Sequence, residues 1–103
     1  MVNRFLEKRV EVDFNDNTLK TGNSIELEYY LLECENTELY DVEVQKTYGV
    51  GIVKKHHGIP NESKQFANIF NSRDQARSLI ENLAQHTVTP ASLLYILDDL
   101  LGV

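Results

Sequence analysis

The sequence predicts an α+β fold: an antiparallel β-meander of about four to five strands, followed by two C-terminal helices packed on one face. Three observations predict it. Apolar residues alternate with period two through the first two thirds of the chain, they switch to i, i+3, i+4 spacing near Ser72, and short connections separate the runs. At 103 residues the chain is expected to form one domain spanning 1–103, with strands over about 4–70 and helices over about 73–86 and 90–101. A chain of this size buries roughly 65% of its unfolded surface.

From Arg4 to Phe14, Leu6, Val10, Val12 and Phe14 line one face, with Lys8 interrupting them, and Glu7, Arg9, Glu11 and Asp13 line the other. This is the pattern of a half-buried strand. Asn15-Asp16-Asn17 ends it, and Thr21-Gly22-Asn23-Ser24 closes a polar loop. Ile25 to Cys34 carries the strongest strand signal. Ile25, Leu27, Tyr29 and Leu31 make one apolar face, and from Tyr30 onward Leu32 and Cys34 make the second face apolar as well. A two-sided strand belongs in the middle of a sheet, with a cover on its far side. A subunit contact is one such cover. Glu35-Asn36-Thr37-Glu38 then reverses the chain.

Leu39 to Lys55 is too long for one regular strand, and Gly49 and Gly51 lie inside its apolar alternation. Interior glycines mark bulges or bends, so two segments with a bend near Lys46 to Gly51 are expected. His56 to Asn61 reads as a turn, and Ser63 to Phe70 as a last short strand.

The period then changes. Ser72 followed by Gln75 fits a capping box, and Asp74 occupies the first turn, where the helix dipole favours an acid. Ala76, Leu79, Ile80, Leu83 and Ala84 form one narrow stripe. Thr89-Pro90 supplies an N-cap and a first-turn proline for a second helix. In that helix Leu93, Leu94, Ile96, Leu97, Leu100 and Leu101 fill an arc of roughly 160° at 100° per residue. The arc is wider than one surface requires, so the helix is expected to touch the sheet and either the first helix or a second protomer.

Charge narrows the function classes. The net charge is −6. Residues 1–45 hold 11 acids and 4 bases, residues 46–65 hold 1 and 4, and residues 66–103 hold 4 and 2. An acidic chain without a basic stripe does not favour nucleic acid, although Lys46, Lys54, Lys55 and Lys64 form a small basic segment. No run approaches the roughly 18 apolar residues of a membrane span, and the N-terminus lacks a signal-peptide core. With a single cysteine, Cys34, a cytoplasmic location is the default expectation.

Four stretches carry a family likeness: Glu28-Tyr29-Tyr30-Leu31-Leu32-Glu33, Thr47 to Lys55, Asn68-Ile69-Phe70, and Val88-Thr89-Pro90-Ala91-Ser92-Leu93. Their order resembles a family of small uncharacterised proteins, a domain of unknown function, from Gram-positive, largely clostridial, bacteria. The likeness covers about residues 25–101. Its most specific element is the Val-Thr-Pro-x-Ser-Leu helix start after a strand bearing Tyr-Gly-x-x-Ile. The resemblance implies a bacterial cytosolic protein and passes on no catalytic residue.

The candidate chemistry is thin. His56-His57 with Glu62 or His86 lacks zinc-ligand spacing, and adjacent histidines in an extended segment point apart. Cys34 sits between Glu33 and Glu35, which favours a small hydrophobe over a nucleophile. Glu26 and Glu28 share a strand face about 6.6 Å apart, within range of a paired-carboxylate site. Gly49-Val50-Gly51 lacks the third glycine and following helix of a phosphate loop. No catalytic residue, metal or cofactor is therefore assigned.

Tyrosines suit interfaces because an apolar ring carries a polar tip. Tyr30, Leu32, Leu94, Tyr95 and Leu101 are the candidate interaction residues. The expected role is a non-enzymatic protein-interaction or regulatory module, with a protein partner or self-association as a homodimer. The alternative is a small-ligand binder or enzyme using Glu26 and Glu28 near the Gly49–Gly51 bend.

Overall fold

A computed structural model of the chain describes residues 2–14, 23–36 and 45–101. Four strands, β1 (Val2–Phe14), β2 (Asn23–Asn36), β3 (Gln45–His56) and β4 (Ile59–Phe70), form an antiparallel sheet in the order β1-β2-β3-β4. Two helices follow, α1 (Arg73–Gln85) and α2 (Pro90–Leu101). Both lie on one face of the sheet, the α+β meander expected from the change of period.

That face holds the core. Leu27, Tyr29 and Leu31 of β2 and Val50 and Ile52 of β3 pack against Ala76, Leu79, Ile80, Leu83 and Ala84 of α1, and against Leu93 and Leu97 of α2. Val10, Val12, Phe66 and Phe70 close its margins. The narrow stripe of α1 is the set of residues that the helix buries. Ser72 caps it as expected, its Oγ accepting from the Gln75 N–H at 3.5 Å. The other end closes with a Schellman motif: Thr87 N–H donates to the Ala84 carbonyl and Val88 N–H to the Leu83 carbonyl.

Register corrects several local expectations. Leu6 faces Tyr30 across the β1–β2 ladder whereas Lys8 faces Tyr29, so a bulge lies between them. One extra residue inverts the side-chain alternation. Leu6 therefore shares the helix-free face with Tyr30, and the apolar row expected to join Leu6 to Val10 and Val12 is broken at Glu7. Glu7 meets Arg77 of α1 at 3.3 Å.

β3 runs unbroken through Gly49 and Gly51, not as two segments. The irregularity is on its partner: Tyr48 pairs with Phe70 but Val50 with Phe66, so β4 bulges opposite Gly49. A Cβ at Gly49 would stand 2.1 Å from the Phe66 carbonyl oxygen. Glycine is there to let the bulged strand approach, and Asn68, at φ 57, turns the bulge. The expected turn from His56 to Asn61 contracts to His57-Gly58, both at positive φ, a two-residue hairpin of the type that matches strand twist. β4 accordingly begins at Ile59 rather than Ser63, and Pro60 is accommodated because β4 is an edge strand.

The expected turns at Asn15–Asn17 and Glu35–Glu38, the loop near Thr21, and the apolar alternation of Leu39–Val44 fall wholly or partly outside the described residues.

Candidate functional site: an interhelical cleft and two ion-paired clusters

The helix-free face gathers charge. The Glu28 side chain is only 2% exposed, and three groups converge on it: Arg9 at 2.9 Å, Lys55 at 3.0 Å and the Tyr30 hydroxyl at 2.9 Å. Arg9 also holds Glu26 at 2.7 Å. Burial pushes the Glu28 pKa up, but the bonds from Lys55, Arg9 and Tyr30 outweigh it and hold the carboxyl below its ordinary value. Glu26 and Glu28 do share a face. They share it with cations, however, so the pair works as an ion-paired seam across β1, β2 and β3 and presents no free base. This removes the main support for acid–base chemistry at this pair. Lys46 and Lys55, half of the basic segment, are likewise engaged with carboxylates.

A second cluster ties helix to sheet. Glu33, nearly buried on the helix-bearing face, accepts from Arg73 at the start of α1 and lies 3.5 Å from Lys46. The Arg73 bond, assisted by Lys46, lowers the Glu33 pKa against the burial that would raise it. The Arg73 guanidinium also lies 5.8 Å from the Tyr48 ring centre and 6.0 Å from that of Phe5.

The sequence-derived interaction residues separate into groups. Leu32 is fully buried and presents no surface. Tyr30 is half-buried, its hydroxyl bound to Glu28 and its ring under Arg4 at 4.7 Å. Leu94 and Tyr95 are exposed on α2, at 50% and 73%. Leu101 ends α2, and its side chain lies outside the described set. Cys34 is buried in β2 with a free thiol.

The His56 and His57 rings stand 4.2 Å apart, not apart as an extended segment would place them, because the turn at His57 folds them together. Among the described residues no three His, Cys, Asp or Glu side chains gather within reach of one metal ion.

The feature that sequence reasoning missed lies between the helices. α1 rests mainly on β1, β2 and β3, whereas α2 rests on β3 and β4, and no Cα of one helix comes within 8 Å of the other. The wide arc of α2 is therefore not matched by close packing on α1. Between them runs an apolar cleft enclosing about 430 Å³, floored by Leu79, Leu83 and Val88 and walled by Ile96 and Leu100. Asn82, His86 and Asp99 form its polar rim. The signal for it was present in the sequence. Leu79 and Leu83 border one helical stripe and Ile96 and Leu100 the other, but only the spacing of the two helices on the sheet turns two borders into a cleft.

Fold and cleft define a class: a small α+β protein in which a four-stranded meander is roofed by two helices that leave an apolar channel between them. The chain belongs to DUF6514, a family of unknown function, whose family model matches residues 8–103. No curated protein and no solved structure matches the chain. Among the described residues no helix is long and apolar enough to cross a membrane.

Proposed function

We propose that this protein is a small non-enzymatic interaction module that receives a protein partner in the cleft between α1 and α2. The cleft carries the reading. Its volume falls in the range of binding clefts, its floor is apolar, and a few polar groups rim it. Leu100 at its wall is 62% exposed, and Leu94 and Tyr95 extend apolar surface along the outer side of α2. Burying a leucine is worth about 1.5–3 kcal/mol, so a helix that leaves two exposed forgoes stability that a partner would recover. A photo-crosslinking amino acid at position 100, introduced in the producing cell, is expected to form one discrete adduct. The same probe at exposed Asn61 is expected to form none. Equal labelling from both positions, or from neither, sinks the proposal.

Self-association is a second reading, favoured by β1. This strand, an edge of the sheet among the described residues, exposes Val2, Phe5 and Leu6, and unpaired edges template pairing with another chain. Light scattering should then report a mass that rises with concentration and reverts to one chain in Leu6→Lys. A constant one-chain mass across the micromolar range removes this reading. A cytoplasmic location and a Gram-positive, largely clostridial, source complete the proposal and rest on the motif resemblance.

A further inference from the structure

We propose that the partner entering the cleft is a basic amphipathic protein segment, which inserts an apolar side chain between Leu83 and Ile96 and sets lysines or arginines against the C-terminal end of α2. This rests on the reading of the cleft as a docking site and adds the chemistry of its occupant.

Charge around the cleft selects the occupant. α2 contains no basic residue, and its two acids, Asp98 and Asp99, both fall in its last turn. A helix carries partial negative charge at that end, so the position disfavours carboxylates and favours cations. Asp99 stands on the rim of the cleft itself. Among the described residues neither aspartate has an ion-pair partner.

The cations of α1 are directed elsewhere. Arg73 is bound to Glu33 and Arg77 to Glu7, on the flank toward β1 and β2. Of the rim groups only His86 is able to carry positive charge, and its Nδ1 lies 2.9 Å from the Asn82 carbonyl oxygen. An apolar channel beside unpaired acids at a helix C-terminus complements an apolar anchor flanked by cations, the pattern of helix-in-groove recognition. The same charges argue against other occupants. A second copy seated in the cleft would bring a molecule of net charge −6 against the unpaired aspartates. An anionic lipid surface would be repelled in the same way.

The test titrates the full chain with a fluorescent synthetic helix bearing a leucine face and a lysine face, and with its leucine/glutamate counterpart. The lysine peptide is expected to bind at least about tenfold more tightly, and its affinity should fall as salt is raised. The double substitution Asp98→Asn, Asp99→Asn should weaken it about tenfold. Removing two acids elsewhere, by Glu11→Gln with Glu62→Gln, should change it little. Leu100→Ser should weaken both peptides. Binding that responds to Leu100→Ser but not to the aspartate pair, or that is equal for both peptides, overturns the basic partner and leaves the docking cleft standing. Binding of neither peptide overturns the basic partner. Binding indifferent to Leu100→Ser as well as to the aspartates overturns both.

Discussion

Gly49 shows how one residue type can be demanded by a neighbour rather than by its own backbone. A Cβ there would meet the Phe66 carbonyl oxygen at 2.1 Å and the Ala67 Cα at 2.8 Å, both main-chain atoms of the bulged β4. Gly49→Ala should therefore lose about 1–3 kcal/mol of stability in urea unfolding, the usual cost of overpacking. Gly51→Ala is the milder comparison, since its Cβ would stand 3.3 Å from the Gln65 Cβ, a tight contact that a shift of a few tenths of an ångström relieves. Thr87 is the opposite case. It holds φ 47 in the Schellman turn that ends α1, a conformation that suits glycine and burdens a β-branched residue. Thr87→Gly should raise stability by about 1 kcal/mol, read as a higher Tm. The glycines announced an irregularity near position 50. The alternation could not say which strand bulged, because the clash partner lies on β4, and nothing in local composition marked Thr87 as left-handed.

At the scale of elements, two buried groups connect strands to what surrounds them, and each leaves a signature in pH. The Tyr29 hydroxyl donates to the Val88 carbonyl at 2.9 Å, tying the central strand β2 to the α1–α2 connection. Burial raises its pKa from 10.0 to about 12. Tyr29 thus stays neutral in the folded chain after its unfolded counterpart has ionised. Its contribution is complete below pH 10 and is lost as the pH climbs toward about 12. Tyr29→Phe should remove that part of the alkaline limb and cost about 1–2 kcal/mol at neutral pH, where the Val88 carbonyl loses its donor. Glu28 carries the opposite sign. Its pKa is held below the ordinary 4.5, so its stabilisation is present above that value and is lost as the pH falls through the lower folded value. Chemical unfolding followed against pH should show a shallower acid limb in Glu28→Gln than in the parent chain. Neither partner set was legible in the sequence. Arg9, Glu28 and Lys55 come from three strands, and ladder register alone brings them together.

The whole molecule separates leucines that hold the fold from leucines that do not. Leu93 faces the sheet and is fully buried, and Leu93→Ala should lose about 2–5 kcal/mol. Leu100→Ser, on the same helix, should stay within about 0.5 kcal/mol of the parent, as exposed positions do. If Leu100→Ser proved as damaging as Leu93→Ala, Leu100 would belong to the core and the cleft would be part of the fold rather than a receptive surface. Among the described residues β1 and β4 are the edge strands, and the bulges in each, with Pro60 and Lys64 on β4, are devices that discourage indiscriminate edge pairing.

Periodicity and capping residues are local. They were enough to specify a meander of about four to five strands followed by two helices, the start of α1 at Ser72, and the stripe that α1 buries. Leu32, read as a contact residue, shows where such reasoning ends: a two-sided apolar strand has the same alternation whether its second face meets a partner or is covered within the chain. Register is non-local, since one added residue at Glu7 reverses which face a side chain occupies, and the bulge opposite Gly49 lies on a strand that the glycine itself does not specify. Helix spacing is non-local too, because it depends on which strands each helix rests upon. The charged seam at Glu28 follows from the first and the cleft between α1 and α2 from the second, so both features of this surface were decided only when the chain folded.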